Sequence, residues 1–426
     1  MNTAIACPDS VEAATSVASK PTFYERLLLR SFKAFDQGAL RLSYPDGTHR
    51  IVGDAASDVT AELRIHDMAF FRRCVLFGNV GFGESFVDGD WDTPDIEAVV
   101  SFFITNIVRV QGSEASSSRV AFTNVLRGWN RLKHLLRPNS ITTSRRNISE
   151  HYDLGNEFYS LWLDKTMTYS SALFEREDQD LADAQFAKYE ALCRQLQLSE
   201  TDHVLEIGCG WGGFCTHAAR EHGCRVTAVT ISQEQHRYAM DRVKRDGLDH
   251  LVEVRLQDYR HIEGQFDKIA SIEMLEAVGD QYVETYFAKC AELLKPSGLL
   301  AFQVITVPDS RFENLRKGVD WIQKHIFPGS LLLSVARLNE AINKTGDLFM
   351  HGLHDFGSSY AKTLSLWHDQ FNEQWAAVSA LGFDERFRRK WNYYLKYCEA
   401  AFATRNISVI QAVYTRPNNA SLNRIG

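Results

Sequence analysis

From residue 200 onward, short apolar runs alternate with segments of helical periodicity, and no other feature of the chain constrains its fold as strongly. The runs 203–207, 225–230, 251–257, 266–272 and 299–305 read as strands, and helices are predicted from Gly212, from Ser232 and over 281–294. Strands separated by helices cannot form tight hairpins, so they lie parallel in one sheet with helices on both faces. Open sheets of this kind hold ligands beyond the carboxyl ends of their strands. Chemistry is expected there.

The rest of the chain is organised around that sheet. Tyr24, Leu27, Leu28, Phe32 and Phe35 recur at helical spacing and 40–44 alternates like a strand, which predicts a small N-terminal α+β domain over 21–112 behind a loose tail, 1–20. The turn formers of 112–118 mark a boundary, so 113–150 reads as a linker, 151–417 as the main domain and 418–426 as a tail. The Gly-rich stretch 78–91 is read as turn structure, because no strand and helix follow it as a phosphate loop requires.

Charge and cysteine content exclude several classes of protein. The 426 residues are 45% hydrophobic and carry a formal charge of −7, which argues against a nucleic-acid binder. Between Glu114 and Glu150 the balance reverses: there are no acids, while Arg119, Arg127, Arg131, Lys133, Arg137, Arg145 and Arg146 are all basic. Phe122, Val125, Leu126, Trp129, Leu132 and Leu136 share one helical face there, which reads either as a domain connector or as a helix adsorbing to an anionic membrane surface. No run of 18 apolar residues occurs, and the eight scattered cysteines suit a reducing cytoplasm. No metal site is read, since His351 and His354 lack a third ligand.

The first strand of the sheet runs into Glu206-Ile-Gly208-Cys-Gly210-Trp-Gly212-Gly213, a glycine turn that lets a ligand approach bare backbone. A dinucleotide fold places an acid at the tip of strand two, but here that strand ends Val229-Thr230-Ile231-Ser232. An acid before the first glycine, Glu206, and another after strand three, Asp258, form the pattern of a Rossmann-like methyltransferase that takes S-adenosylmethionine. Both acids lie at strand mouths, where burial without a partner is costly, so a ligand partner is expected for each. Ser232 and Gln235 also match a capping box, which would account for them without any ligand.

Five ordered blocks then carry a family resemblance: His151-Tyr-Asp-Leu-Gly-Asn156, Met167-Thr-Tyr-Ser-Ser-Ala172, Val204 to Gly213, Met274-Leu-Glu-Ala-Val-Gly279 and Ile326-Phe-Pro-Gly329. The chain resembles the cyclopropane-fatty-acyl-phospholipid synthases and the related mycolic acid methyltransferases. The resemblance implies a class I methyltransferase sheet, S-adenosylmethionine as methyl donor, unsaturated phospholipid acyl chains as acceptor and a bound bicarbonate ion as base. It also implies a cytoplasmic enzyme in peripheral contact with the membrane, with a homodimer as the assembly to test. By motif match, Tyr169, Ser170, Gly208, Gly210, Gln235, Asp258 and Tyr259 are implied as cofactor contacts; Glu206, Gly212 and Thr230 join them from the glycine turn and the second strand. Glu276, Tyr360 and the backbone of Ile305 are implied to hold the bicarbonate.

The chain departs from that family at two bicarbonate positions, Ser171 and Gln303, where many members have Cys and His. A hydroxyl and an amide still donate hydrogen bonds, so neutral contacts to an oxyanion are expected to survive. The apolar insertion 307–333 is expected to cover an acyl channel. The products weighed are a cyclopropane and, alternatively, a methylated chain without ring closure.

Overall fold

The computed structural model describes residues 21–112 and 154–422. The basic run 119–146 therefore lies outside the described residues. The N-terminal unit begins with α1 (Phe23–Ser31), started by a capping box between Thr22 and Glu25. A sheet of β1 (Ala39–Ser43), β2 (His49–Gly53), β3 (Val59–Ile65) and the two-residue β4 (Trp91–Asp92) follows, in the order β2-β1-β3-β4. Helices α2 (Ala69–Asp88) and α3 (Ile96–Gly112) complete it.

Most of the stretch read as turn is helical. Helix α2 runs on to Asp88 with one break, at Gly78, whose φ of 58° and ψ of −134° are non-helical. The glycines serve close packing: a Cβ on Gly81 would lie 2.2 Å from the Arg73 carbonyl oxygen, and one on Gly83 would lie 2.5 Å from the Trp321 ring. Glycine's helical cost is only about 1 kcal/mol, which tertiary packing outweighs here.

The larger unit opens with α4 (Asn156–Trp162) and α5 (Leu181–Leu196). It continues β5 (His203–Ile207), α6 (Gly213–His222), β6 (Arg225–Thr230), α7 (Gln233–Arg245), β7 (Val252–Leu256), β8 (Phe266–Ile272), α8 (Val283–Leu293) and β9 (Leu294–Thr306). The inserted helices α9 (Asp309–Lys317) and α10 (Trp321–His325) come next, then α11 (Val335–Thr345), β10 (Phe349–Asp355), α12 (Gly357–Glu373), α13 (Trp375–Ala380), α14 (Glu385–Ala403) and β11 (Ser408–Thr415). The seven strands are ordered β10-β11-β9-β8-β5-β6-β7, with β5 to β9 parallel and β11 antiparallel to both its neighbours. The parallel α/β sheet that the alternation predicts is present, extended at one edge by two strands, β11 and β10, that pair antiparallel.

Side-chain alternation along β5 divides its residues between two layers. Leu205 and Ile207 join a core with α8 and α11, while Val204 joins one with α5 and α6. Glu206 therefore faces the α5 and α6 side. The two units share a third core, in which Phe86 packs against Tyr393 of α14 with ring centroids 5.5 Å apart, and Arg389 of the same helix donates to the Phe86 and Trp91 carbonyls at 2.7 and 2.9 Å. The terminal segment is anchored up to Leu422: Asn419 is buried and donates to Ser297 O and Thr415 Oγ1.

Candidate active site

Two cavities meet at the carboxyl ends of the parallel strands. One, of about 180 Å³, follows the glycine turn and is lined by Tyr169, Ser170, Glu206, Gly208, Gly210, Thr230, Gln235, Asp258 and Tyr259, among others. The second, of about 390 Å³, runs beneath the insertion between α9, α10, α12 and α14. Tyr169, Glu273 and Ala277 line both.

The first cavity takes its shape from backbone that only glycine adopts easily. Gly208 and Gly210 have φ of 87° and 52°, and a Cβ on Gly210 would meet nothing within 4 Å, since it would point into open space. Gly212 and Gly213 serve packing instead: Cβ atoms there would lie 3.2 Å from Ala239 and 2.1 Å from the Tyr189 hydroxyl. Glu206 is 2% exposed and its Oε2 has no hydrogen-bond partner. Burial pushes its carboxyl up to about 8, against the pull of Cys215 and Lys188. A buried carboxyl with one orphaned oxygen beside an open glycine turn suits the amino group of a methionine moiety, so these residues fit S-adenosylmethionine.

Two residues that were expected to meet the ligand have partners within the chain. Asp258 accepts from Arg260 Nε at 2.9 Å and Nη2 at 2.7 Å. Burial alone would raise its carboxyl, but the Arg260 contacts hold it below the usual range. Its burial is thus compensated within the chain, while it remains in the cavity wall. Ser232 Oγ accepts from Gln235 N at 3.3 Å, but the Gln235 side chain accepts from Thr230 Oγ1 at 2.9 Å rather than returning to the cap. The capping box is only half formed, and Gln235 stays in the cavity wall.

The residues expected to hold bicarbonate converge, but around a carboxylate of the chain. Glu273 Oε1 accepts from Ser171 N at 2.8 Å and Gln303 Nε2 at 2.7 Å, and its Oε2 accepts from Tyr360 OH at 2.7 Å. The Ser171 hydroxyl, expected to contact the anion, donates instead to the Ala172 carbonyl at 2.9 Å. Ile305 N donates to Glu276 Oε1 at 2.6 Å. Every donor read as a bicarbonate contact is therefore engaged by Glu273, Glu276 or Ala172, and the site does not fit a bound bicarbonate. Burial, reinforced by the charge of Glu273, pushes Glu276 up to about 8, and its Oε2 has no partner.

Sequence reasoning missed Glu273 and Lys188. Glu273 immediately precedes a quoted block and stands three residues from Glu276, a local signal that two acids share one strand mouth. Lys188 gave no such signal, because its position follows from the docking of α5. It is fully buried, donates to Ser170 Oγ at 2.8 Å, and burial pushes it down to about 7 against the attraction of Glu273, Asp164 and Glu206. Among the described residues, Glu190, Cys193 and His222 bring donor atoms within 4.8 Å of one another, but none of them lines either cavity.

The insertion lines the second cavity with Val307, Leu315, Ile322, Phe327 and Leu332, opposite Leu364, Ala401 and Phe402. Trp321 anchors it, 1% exposed and against Tyr393 at 4.7 Å between ring centroids.

Comparison with known proteins places this arrangement. The pattern of the family described as mycolic acid cyclopropane synthetase matches residues 139–412. The chain is 37% identical over 380 residues to the tuberculostearic acid methyltransferase UfaA1 of Mycobacterium tuberculosis, covering 87% of this chain and 86% of that one. It is 38% identical over 360 residues to the cyclopropane-fatty-acyl-phospholipid synthase of Escherichia coli, covering 84% and 88%. Among solved structures it is similar to the mycolic acid cyclopropane synthase CmaA1 complexed with SAH and CTAB, with a TM-score of 0.59 and 28% identity over 64% of this chain and 98% of that one.

Proposed function

We propose, from the premise that this chain belongs to the mycolic acid cyclopropane synthetase family and is an S-adenosylmethionine-dependent methyltransferase, that it converts a double bond in a phospholipid acyl chain into a cyclopropane. The observation that carries the proposal is the junction of the two cavities at Tyr169, Glu273 and Ala277. One side suits a polar cofactor and the other an apolar chain. When bound, S-adenosylmethionine supplies an electrophilic sulfonium methyl. The residues of this chain align an alkene with it in a dry cavity and hold a proton acceptor beside the reacting carbons. Tyr169, whose hydroxyl meets Tyr394 OH at 2.7 Å, and Tyr360 line the second cavity with aromatic rings, whose π faces can stabilise positive charge on the acyl chain.

The acyl cation has two fates, and the relatives' names include both methyl transfer and ring formation. Loss of a proton from the new methyl closes the ring; loss from a chain carbon leaves a methylated alkene. With trideuteromethyl cofactor the ring retains two deuteria and the alkene three, so mass spectrometry of the lipid product decides. A product with three deuteria would replace the cyclopropane reading.

Glu206 gives this function a pH signature. Below about 8 its carboxyl is protonated in the free protein, whereas an ammonium ligand favours the carboxylate. Affinity for S-adenosylmethionine should therefore rise towards about pH 8 by up to about tenfold per unit, with a proton released on binding. Calorimetry in buffers of different ionisation enthalpy measures this release. Glu206→Gln should abolish it, and an affinity that falls as pH rises would count against the assignment.

Membrane contact is proposed through the basic run 119–146, supported by its charge and apolar periodicity. None of the described helices is long and apolar enough to cross a membrane. Each Lys or Arg near an anionic surface contributes about 1 kcal/mol, so replacing Arg127, Arg131 and Lys133 by Gln should markedly weaken co-sedimentation with anionic vesicles. Unchanged co-sedimentation would make the run a plain connector.

A further inference from the structure

We infer that the Glu273 carboxylate takes the place of bicarbonate in this chain and is itself the base that accepts the proton lost from the new methyl group. The inference rests on the methyl transfer and ring closure proposed above, and four observations support it.

The first is the donor set. Ser171 N, Gln303 Nε2 and Tyr360 OH are contributed by three separate segments, yet all converge on the two oxygens of Glu273 at 2.7 to 2.8 Å. Three donors arranged around a carboxylate make an anion site, and a tethered carboxylate fills it without the entropic cost of capturing a free ion.

Location is the second. Glu273 lines both cavities, so its carboxylate stands where a sulfonium methyl and an alkene would meet. Oε1 accepts two of these bonds and Oε2 one, so Oε2 retains a lone pair for a proton.

Backbone conformation is the third. Glu273 adopts φ of 48°, in the left-handed region that costs a residue with a Cβ about 1 kcal/mol or more. That conformation follows β8 directly and sets the side chain among the three donors. Glycine would be the default residue here, so a glutamate in this conformation points to a task for its carboxylate.

The fourth is charge balance. Gln303 is a neutral donor, so it orients Glu273 without neutralising it, as an imidazolium at that position would. Lys188, buried nearby, supplies attraction without a direct hydrogen bond among those Glu273 makes. Burial raises the Glu273 carboxyl, and the contacts from Tyr360, Gln303 and Ser171 together with the charge of Lys188 oppose that rise while holding the acceptor in place.

The step balances. The alkene π pair forms a bond to the methyl carbon, and the carbon–sulfur pair stays on sulfur, leaving neutral S-adenosylhomocysteine and a cation on the acyl chain. A C–H pair of the new methyl then forms the third ring bond, and the proton moves to Glu273, which becomes a neutral acid and later returns the proton to solvent. A proton on carbon beside a cationic centre is so acidic that an ordinary carboxylate suffices.

The test compares the purified full chain with two variants in buffer freed of carbon dioxide, using vesicles of unsaturated phospholipid. Wild-type turnover should be the same with and without added bicarbonate, and ¹³C-bicarbonate should show no bound state by NMR. Glu273→Gln should bind S-adenosylmethionine normally but lose turnover by about 100-fold or more. Glu273→Gly suits the backbone conformation and vacates the donors, so it should bind ¹³C-bicarbonate and recover turnover as bicarbonate or formate is added. The inference is overturned if wild-type activity collapses without bicarbonate, if the wild type binds the labelled ion, or if Glu273→Gln turns over normally. A wild type that transfers no methyl under any condition defeats the proposed function instead, and the bicarbonate-binding comparison still decides the inference. Should Glu273→Gln fail to fold, the wild type and Glu273→Gly carry the test.

Discussion

Gly210→Val should abolish measurable S-adenosylmethionine binding while leaving a cooperatively folded protein. Two effects act together at this position. The backbone φ of 52° is one that a β-branched residue adopts at a cost of about 1 to 2 kcal/mol, which is small against the stability of a domain. The larger effect is steric: a Cβ on Gly210 would point into open space, and that space is the cofactor cavity. The fold therefore survives and the ligand does not fit. Calorimetric titration together with thermal unfolding separates the two effects. Retained binding, or preferred binding of a nicotinamide dinucleotide by the wild type, would refute the assignment of this cavity.

Trp321→Ala should reduce stability by about 3 to 5 kcal/mol, the usual cost of emptying a large aromatic site. Trp321 is 1% exposed and packs between Gly83 of α2 and Tyr393 of α14, joining the insertion, the N-terminal unit and the sheet's C-terminal helices. Its neighbours Ile322 and Gln323 line the second cavity. Beside it, Glu84 accepts from Lys324 at 2.5 Å and from His325 at 2.9 Å, contacts that the variant leaves in place. Denaturant unfolding should show the loss of stability, and lipid methylation should fall while S-adenosylmethionine affinity is unchanged. If cofactor affinity fell in parallel with methylation, Trp321 would act on the whole domain rather than on the acyl cavity. Gly83→Leu should reproduce the effect from the opposite side, because its Cβ would lie within 2.7 Å of both rings.

What could be read early is what local physics controls. The succession of β5 to β9 along the chain and the place of the cofactor cavity follow from apolar periodicity and a glycine turn, and three strands, β5, β6 and β8, begin and end where the apolar runs do. The Asp258–Arg260 pair is also local, two residues apart, and could have been weighed against a ligand partner. Helix α2 could not be recognised, because its glycines look like turn formers until Trp321 and Tyr393 arrive against Gly83 from distant parts of the chain.

The same distinction holds at the reacting centre. Sequence alone determined a parallel α/β methyltransferase sheet, the glycine turn that opens its cofactor cavity and the acids at its strand mouths, since each depends on residues within one turn or strand. Only the tertiary structure decided what surrounds each acid, and it alone brought Glu273, missed in the sequence, into the site. Glu206 is left with an orphan oxygen, Asp258 is neutralised by Arg260, and Glu273 receives donors from positions 102, 30 and 87 residues away. A buried carboxylate's role depends on the donors and charges around it, and here folding brings them together from remote segments.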